Sequence, residues 1–175
     1  MLRIGTWGAA GSADLVACGW RDGQPGHLET GIKLIFEATG NVPEMPGLKV
    51  ATRAVRGAPE IARALLCGLD VVLAAPDDPA APVVAAGIWH YGWTVADSGA
   101  LASATVAGLA LAGLPAPGVL EIRRDGRAWL DGGVTVADVL ARVTARHPPD
   151  EAAALLAAVR LTQERPSRIR VEPGA

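Results

Sequence analysis

The residues best suited to chemistry are a few arginines and carboxylates that punctuation places at the ends of elements. Arg53 and Arg56 stand between a β-like run, Leu48 to Val55, and a helix-like run opened by Gly57-Ala58-Pro59. A guanidinium there can neutralise a carboxylate or phosphate, and its donors match such anions geometrically. Fourteen of the sixteen basic residues are arginine, Lys33 and Lys49 being the exceptions. Position rather than residue type therefore singles out these two. Asp77 and Asp78 precede Pro79. Paired carboxylates can hold a cation or serve as acid and base, and the same pair can instead cap a helix. Asp97-Ser98-Gly99 offers a similar choice between a helix cap and a site at which Asp97 or Ser98 meets a substrate.

A glycine loop is the second feature. Gly5, Gly8 and Gly11 follow a β-like start, Leu2 to Trp7. Their spacing resembles that of dinucleotide-binding loops, in which glycines let a pyrophosphate approach the backbone. Gly8, Gly11 and Ser12 would then donate hydrogen bonds to an anion, whereas the plainer reading is a tight turn. No acidic residue closes a recognisable second strand about twenty residues on, as the full fingerprint requires.

Other chemistry finds less support. His27 and Glu29 in Pro25 to Glu29 lack further ligands, and neither a Cys-x-x-Cys pair nor a His-Glu-x-x-His helix occurs. Cys18 and Cys67 lie far apart, which argues against a disulfide framework and fits a reducing, cytoplasmic setting. There is no Gly-x-Ser-x-Gly elbow. No cofactor is named by these residues. Trp89-His90-Tyr91-Gly92-Trp93 gathers aromatic side chains at a helix end, where packing or a subunit contact is the expected use.

These residues are positioned by alternating β-like and helix-like runs. Leu48 to Val55, Leu69 to Ala74 and Trp93 to Ala96 read as strands. Pro59 to Cys67, a run from Asp77 to about Trp89, and Gly99 to Leu114 read as helices between and after them. Such βα units predict an α/β fold, a three-layer α/β/α arrangement with a mainly parallel sheet. Ligands of such sheets bind outside the carboxyl ends of the strands, which makes the loops carrying Gly8, Arg53, Asp77 and Asp97 one rim. Asp14 to Cys18 reads as a short helix, and Ile32 to Glu37 as strand or helix. After Pro115 to Pro117 the pattern changes to a β-hairpin about Arg124-Asp125-Gly126 and two helices, Thr135 to Arg146 and Asp150 to Thr162. The tail from Glu164 to Ala175 is either loose or supplies an edge strand at Arg168 to Val171.

The whole chain bounds what this arrangement can be. Its 175 residues fit a single domain, and 50% hydrophobic against 19% charged content supplies a core. A formal net charge of −2 gives no positive field for a phosphate backbone, so nucleic acid is not an expected partner. The apolar run from Ala100 to Leu114 falls short of the roughly twenty residues that span a bilayer. No secretion leader is legible in Met1 to Trp7, and no membrane partner is expected. The sequence thus predicts a cytoplasmic domain that binds a small anionic metabolite or nucleotide at the strand ends, and that could act on it as an enzyme. The rival is a noncatalytic subunit, because alanine-rich helices leave apolar surface for a homo-oligomer.

Overall fold

A computed structural model describes residues 1–5, 15–18, 33–37, 47–51, 53–75, 77–114 and 117–174. Its elements in chain order are β1 (Leu2–Gly5), β2 (Leu15–Cys18), β3 (Lys33–Glu37), α1 (Ala58–Leu66), β4 (Val71–Ala74), α2 (Ala81–Tyr91) and α3 (Ser98–Ala112). There follow β5 (Val119–Ile122), β6 (Ala128–Asp131), α4 (Val136–Arg146), α5 (Pro149–Ala157), β7 (Val159–Arg165) and β8 (Arg168–Pro173).

The strands form one sheet in the order β4-β3-β2-β1-β5-β6-β8-β7. Five of them, β1, β5, β6, β8 and β7, pair antiparallel with one another. Beyond β1, the strands β2, β3 and β4 extend the sheet by parallel pairings. The mainly parallel three-layer sheet expected from the sequence is therefore not the fold. The described residues build a five-stranded antiparallel sheet with five helices, and the parallel strands are its extension.

Strand alternation shows why, among the described residues, helices cover one face of the antiparallel part. Register aligns Leu2, Ile122, Ala128 and Val171 in one row and Ile4, Leu120, Leu130 and Ile169 in the next, and every one of these side chains is fully buried. The row between them, on the opposite face, is Arg3, Glu121, Trp129, Arg170 and Thr162. A period of two places apolar and polar residues on opposite sides of a pleated sheet, so an apolar layer meets the helices and a polar layer does not. β4 differs, being buried at all four positions.

Four local readings differ from the structure. Trp93 to Ala96 is not a strand. Gly92 ends α2 at φ 71, Thr94 and Asp97 form a reciprocal capping box, and a 3-10 turn at Val95–Asp97 leads directly into α3. Of the run Leu48 to Val55, the described residues lie beside β4 and pair with it at the isolated parallel bridges Val50–Val71 and Val55–Ala74 rather than in a strand ladder. Asp150 to Thr162 is helical only as far as Ala157. From Val159 the chain is strand, pairing with a tail that is well integrated, so that β8 lies inside the sheet and β7 forms the edge. The segment read as a short helix at Asp14 to Cys18 contains β2, and Ile32 to Glu37 resolves as β3. The loop Gly19 to Gly31, with His27, lies outside the described residues.

The hairpin and helix caps follow their sequence signals. Gly126 takes φ 84 in the β5–β6 turn, and its N–H donates to the Arg123 carbonyl at 3.0 Å. Thr135 and Asp138 form a capping box at the start of α4. Together with the 3-10 turn, α3 gives 18 residues of mean hydropathy 1.4, a length and composition sufficient to cross a membrane, with half of the stretch buried inside the protein. Ala104, Val106, Ala107 and Ala110 of α3 are fully buried in the common core of a small globular domain. Among the described residues, the large apolar side chains that remain exposed are Met1, Leu66, Val95 and Leu140.

Candidate functional site

The carboxyl ends of β1 to β4 share one edge of the sheet because the four strands run parallel. Residues 50–55 run in the same direction beside β4, held by Val55 N–H to Leu73 O at 2.8 Å and Ala75 N–H to Val55 O at 2.9 Å. Arg56 leaves this segment just before Gly57, whose φ of 76 turns the chain into α1. Asp77 follows β4 after two intervening residues. The two side chains meet at that edge, Arg56 Nη1 donating to Asp77 Oδ2 at 2.9 Å.

This pair is accessible: the Arg56 side chain is 80% and the Asp77 side chain 50% exposed. Such a contact contributes little to folding, about 0–1 kcal/mol, and leaves both groups free to exchange partners. Asp78 has a different task. Its Oδ1 accepts from the N–H groups of Ala80 and Ala81 at 3.0 and 3.2 Å, which satisfies the donors at the start of α2. Of the two adjacent carboxylates, Asp78 thus takes the capping role and Asp77 pairs with Arg56. Arg53 is exposed in the same segment and has no ion-pair partner among the described residues. Gly8, Gly11 and Ser12 lie outside the described residues, although β1, which precedes them, ends at this edge.

Asp97 and Ser98 are not brought to this edge. Trp93, just before them, donates from Nε1 to the Arg124 carbonyl in the β5–β6 turn at 2.8 Å. That turn adjoins the amino end of β1, since Leu2 pairs with Ile122. Asp97 Oδ2 accepts from Thr94 N–H at 2.8 Å and from Thr94 Oγ1 at 3.2 Å. Ser98 is the exposed first residue of α3. The capping use accounts for Asp97, and the expected single rim separates into two ends of the sheet.

The aromatic run serves packing. Tyr91 Oη accepts from Leu2 N–H and donates to Ile122 O, both at 2.8 Å, joining the end of α2 to β1 and β5. Trp93 is buried and passes over Gly87, where a Cβ would stand 1.9 Å from its ring. Lys33 is occupied as well: its Nζ lies 2.6 Å from Asp70 Oδ1, and the Lys49 N–H donates to Oδ2 at 3.0 Å. These hydrogen bonds, the one from Lys33 first, hold the Asp70 carboxyl below its usual range. Cys67 is an exposed free thiol. Among the described residues no group of three or more His, Cys, Asp or Glu side chains is placed to hold a metal ion.

The polar face of the antiparallel sheet was not foreseen. Arg168 links three carboxylates across it, with Nη1 2.6 Å from Asp131, Nη2 3.4 Å from Glu121 and Nε 3.5 Å from Glu164. Arg3 pairs with Glu121, and Arg170 joins Glu164 to Glu172. Trp129 lies in the middle row, its Nε1 donating to Glu164 at 3.3 Å, and the Arg123 guanidinium sits 4.8 Å from its ring centroid. The signal was present as strict alternation in Arg168-Ile169-Arg170-Val171-Glu172, but it becomes a face only when five strands align in register.

No curated protein and no solved structure matches the chain. A family model does match, over residues 24–112, a stretch that runs from before β3 to the end of α3 and includes Arg53, Arg56 and Asp77. That stretch is just over half of the chain, which belongs to the acyclic terpene utilisation family, AtuA.

Proposed function

We propose that this chain serves acyclic terpene utilisation in the cytoplasm by binding a small anionic metabolite at the carboxyl edge of β1 to β4. The ligand class is an acyclic terpenoid carrying a carboxylate or phosphate. Arg56 is the cation that receives it, Asp77 orients the guanidinium, and Arg53 adds positive charge from the same segment. The observation carrying this reading is the exposed Arg56–Asp77 pair beyond the end of β4, inside the part of the chain that matches the family. An anion can take the place of the aspartate on the guanidinium without disturbing the core, because neither side chain is buried.

The test is titration calorimetry of the full chain with an acyclic monoterpenoid carboxylate, with its phosphate ester and with the corresponding uncharged alcohol. The anions should bind and the alcohol should bind more weakly. A charge-assisted contact is worth roughly 1.5–3 kcal/mol, so Arg56→Ala should weaken anion binding by about ten- to more than a hundredfold. Arg53→Ala should weaken it less. Full affinity in both variants would sink the anion-edge reading and favour a noncatalytic, oligomer-forming subunit, which light scattering would then have to reveal.

A further inference from the structure

We propose that the open face of the antiparallel sheet is a docking surface for an acidic protein segment, anchored by Trp129 between Arg123 and Arg160. This goes beyond ligand binding at the carboxyl edge. It uses strands that lie outside the family-matched stretch.

Charge distribution carries the argument. The carboxylates of this face are already engaged: Glu121 and Asp131 with Arg168, Glu164 and Glu172 with Arg170. Asp125, in the turn, is bound by Arg127 at 2.6 Å. Arg123 and Arg160 are exposed, and among the described residues neither has a carboxylate within ion-pair distance. Arg160 stands opposite Glu172 in the strand register, but that carboxylate turns to Arg170 Nε at 3.2 Å. Two cations are therefore left over at one end of the face. They sit on β7 and just past β5, three strand spacings apart, which is about 14 Å.

Between them lies a half-buried tryptophan whose ring is flanked by Arg123. Tryptophan and arginine dominate the energetics of protein interfaces, and a flat, polar-rimmed patch suits a protein better than a small molecule, which prefers a concavity. The interleaved carboxylates favour a peptide over nucleic acid. A continuous phosphate backbone would run over Glu121 and Glu172, whereas a peptide can present acidic side chains to the two arginines alone.

Fluorescence anisotropy of a labelled oligoglutamate peptide, titrated with the full-length chain at low and at high ionic strength, tests the proposal. Binding at low ionic strength that weakens with salt is expected. Arg123→Glu and Arg160→Glu should each reduce affinity by about tenfold, while Arg63→Glu, on the exposed side of α1, should leave it unchanged. Arg123→Gln and Arg160→Gln, with melting curves for every variant, separate lost docking from lost folding. Absence of binding at low ionic strength, or an equal response to all three charge reversals, would overturn the proposal. So would tighter binding of a single-stranded oligothymidylate than of the peptide, since that would make the face a nucleic-acid surface. Failure here leaves Arg56 untouched, and loss of terpenoid binding in Arg56→Ala leaves this face untouched, so the two readings fall separately.

Discussion

Single residues divide into those that hold the fold and those free to act, and burial with partner identity decides which. Asp70 is of the first kind. Lys33 and the Lys49 amide stabilise its carboxylate, so its folded pKa lies below the unfolded one. A depressed carboxyl contributes stability that is fully present above the unfolded pKa and is lost as pH falls through the folded value. Asp70→Asn should therefore lower Tm at neutral pH, and the gap to the wild type should close as the pH falls below about 4. Thermal melts across that range check it, and a constant gap would mean that the ion pair is not the source. Asp77 is of the second kind. Asp77→Ala should change stability by no more than about 0.5 kcal/mol in urea denaturation, because its partner is exposed.

At the scale of elements, the junction of α2 with β1 and β5 is held by two aromatic side chains. Tyr91 spans the Leu2 amide and the Ile122 carbonyl with one hydroxyl. Tyr91→Phe strands both partners in a partly buried setting and should cost about 1–3 kcal/mol by urea denaturation. Gly87 is small because Trp93 lies across it. The Trp93 indole is fixed by the Arg124 carbonyl and cannot swing away cheaply, so Gly87→Ala should cost about 1–3 kcal/mol through overpacking. A Gly87→Ala protein as stable as the wild type would show that the ring has room to move. The same junction explains why Trp93 to Ala96 does not become a strand. Its aromatic head is drawn down to the β5–β6 turn, and the Thr94–Asp97 capping box then starts the next helix.

For the whole molecule, the last fifteen or so residues are structural. Ile169 and Val171 of β8 are fully buried and complete the apolar rows begun by β1, β5 and β6. A chain ending after Ala157 would expose the edge of β6, uncover those rows and remove both side chains from the core. It should lose cooperative thermal unfolding and aggregate, as read by circular dichroism and light scattering. Survival of a cooperative transition would return the tail to the loose state that its polar composition suggests. Much of the apolar content of α3, Ala104, Val106, Ala107 and Ala110 among it, is taken up by the core.

Elements whose signals are local are legible in the order of the amino acids alone. The helices at Ala58–Leu66, Ala81–Tyr91 and Ser98–Ala112 appear close to where Pro, Gly and Asp mark their ends, and the Asp-Gly hairpin stands at Gly126. Such punctuation acts within a few residues and needs no partner. At the site it placed Arg56 and Asp77 at element ends, and their meeting at 2.9 Å follows from residues 50–55 running parallel to β4. The rest depends on contacts between distant segments. Whether Val159 to Arg165 continues a helix or becomes a strand depends on β8, because a run so short satisfies either period until a neighbour supplies backbone partners. The direction of each pairing, the separation of Asp97 from Asp77 and the assembly of Arg3, Glu121, Trp129 and Arg170 into one polar row are non-local. They are set by which strands lie side by side and by the burial of the opposite face, neither of which any one segment encodes.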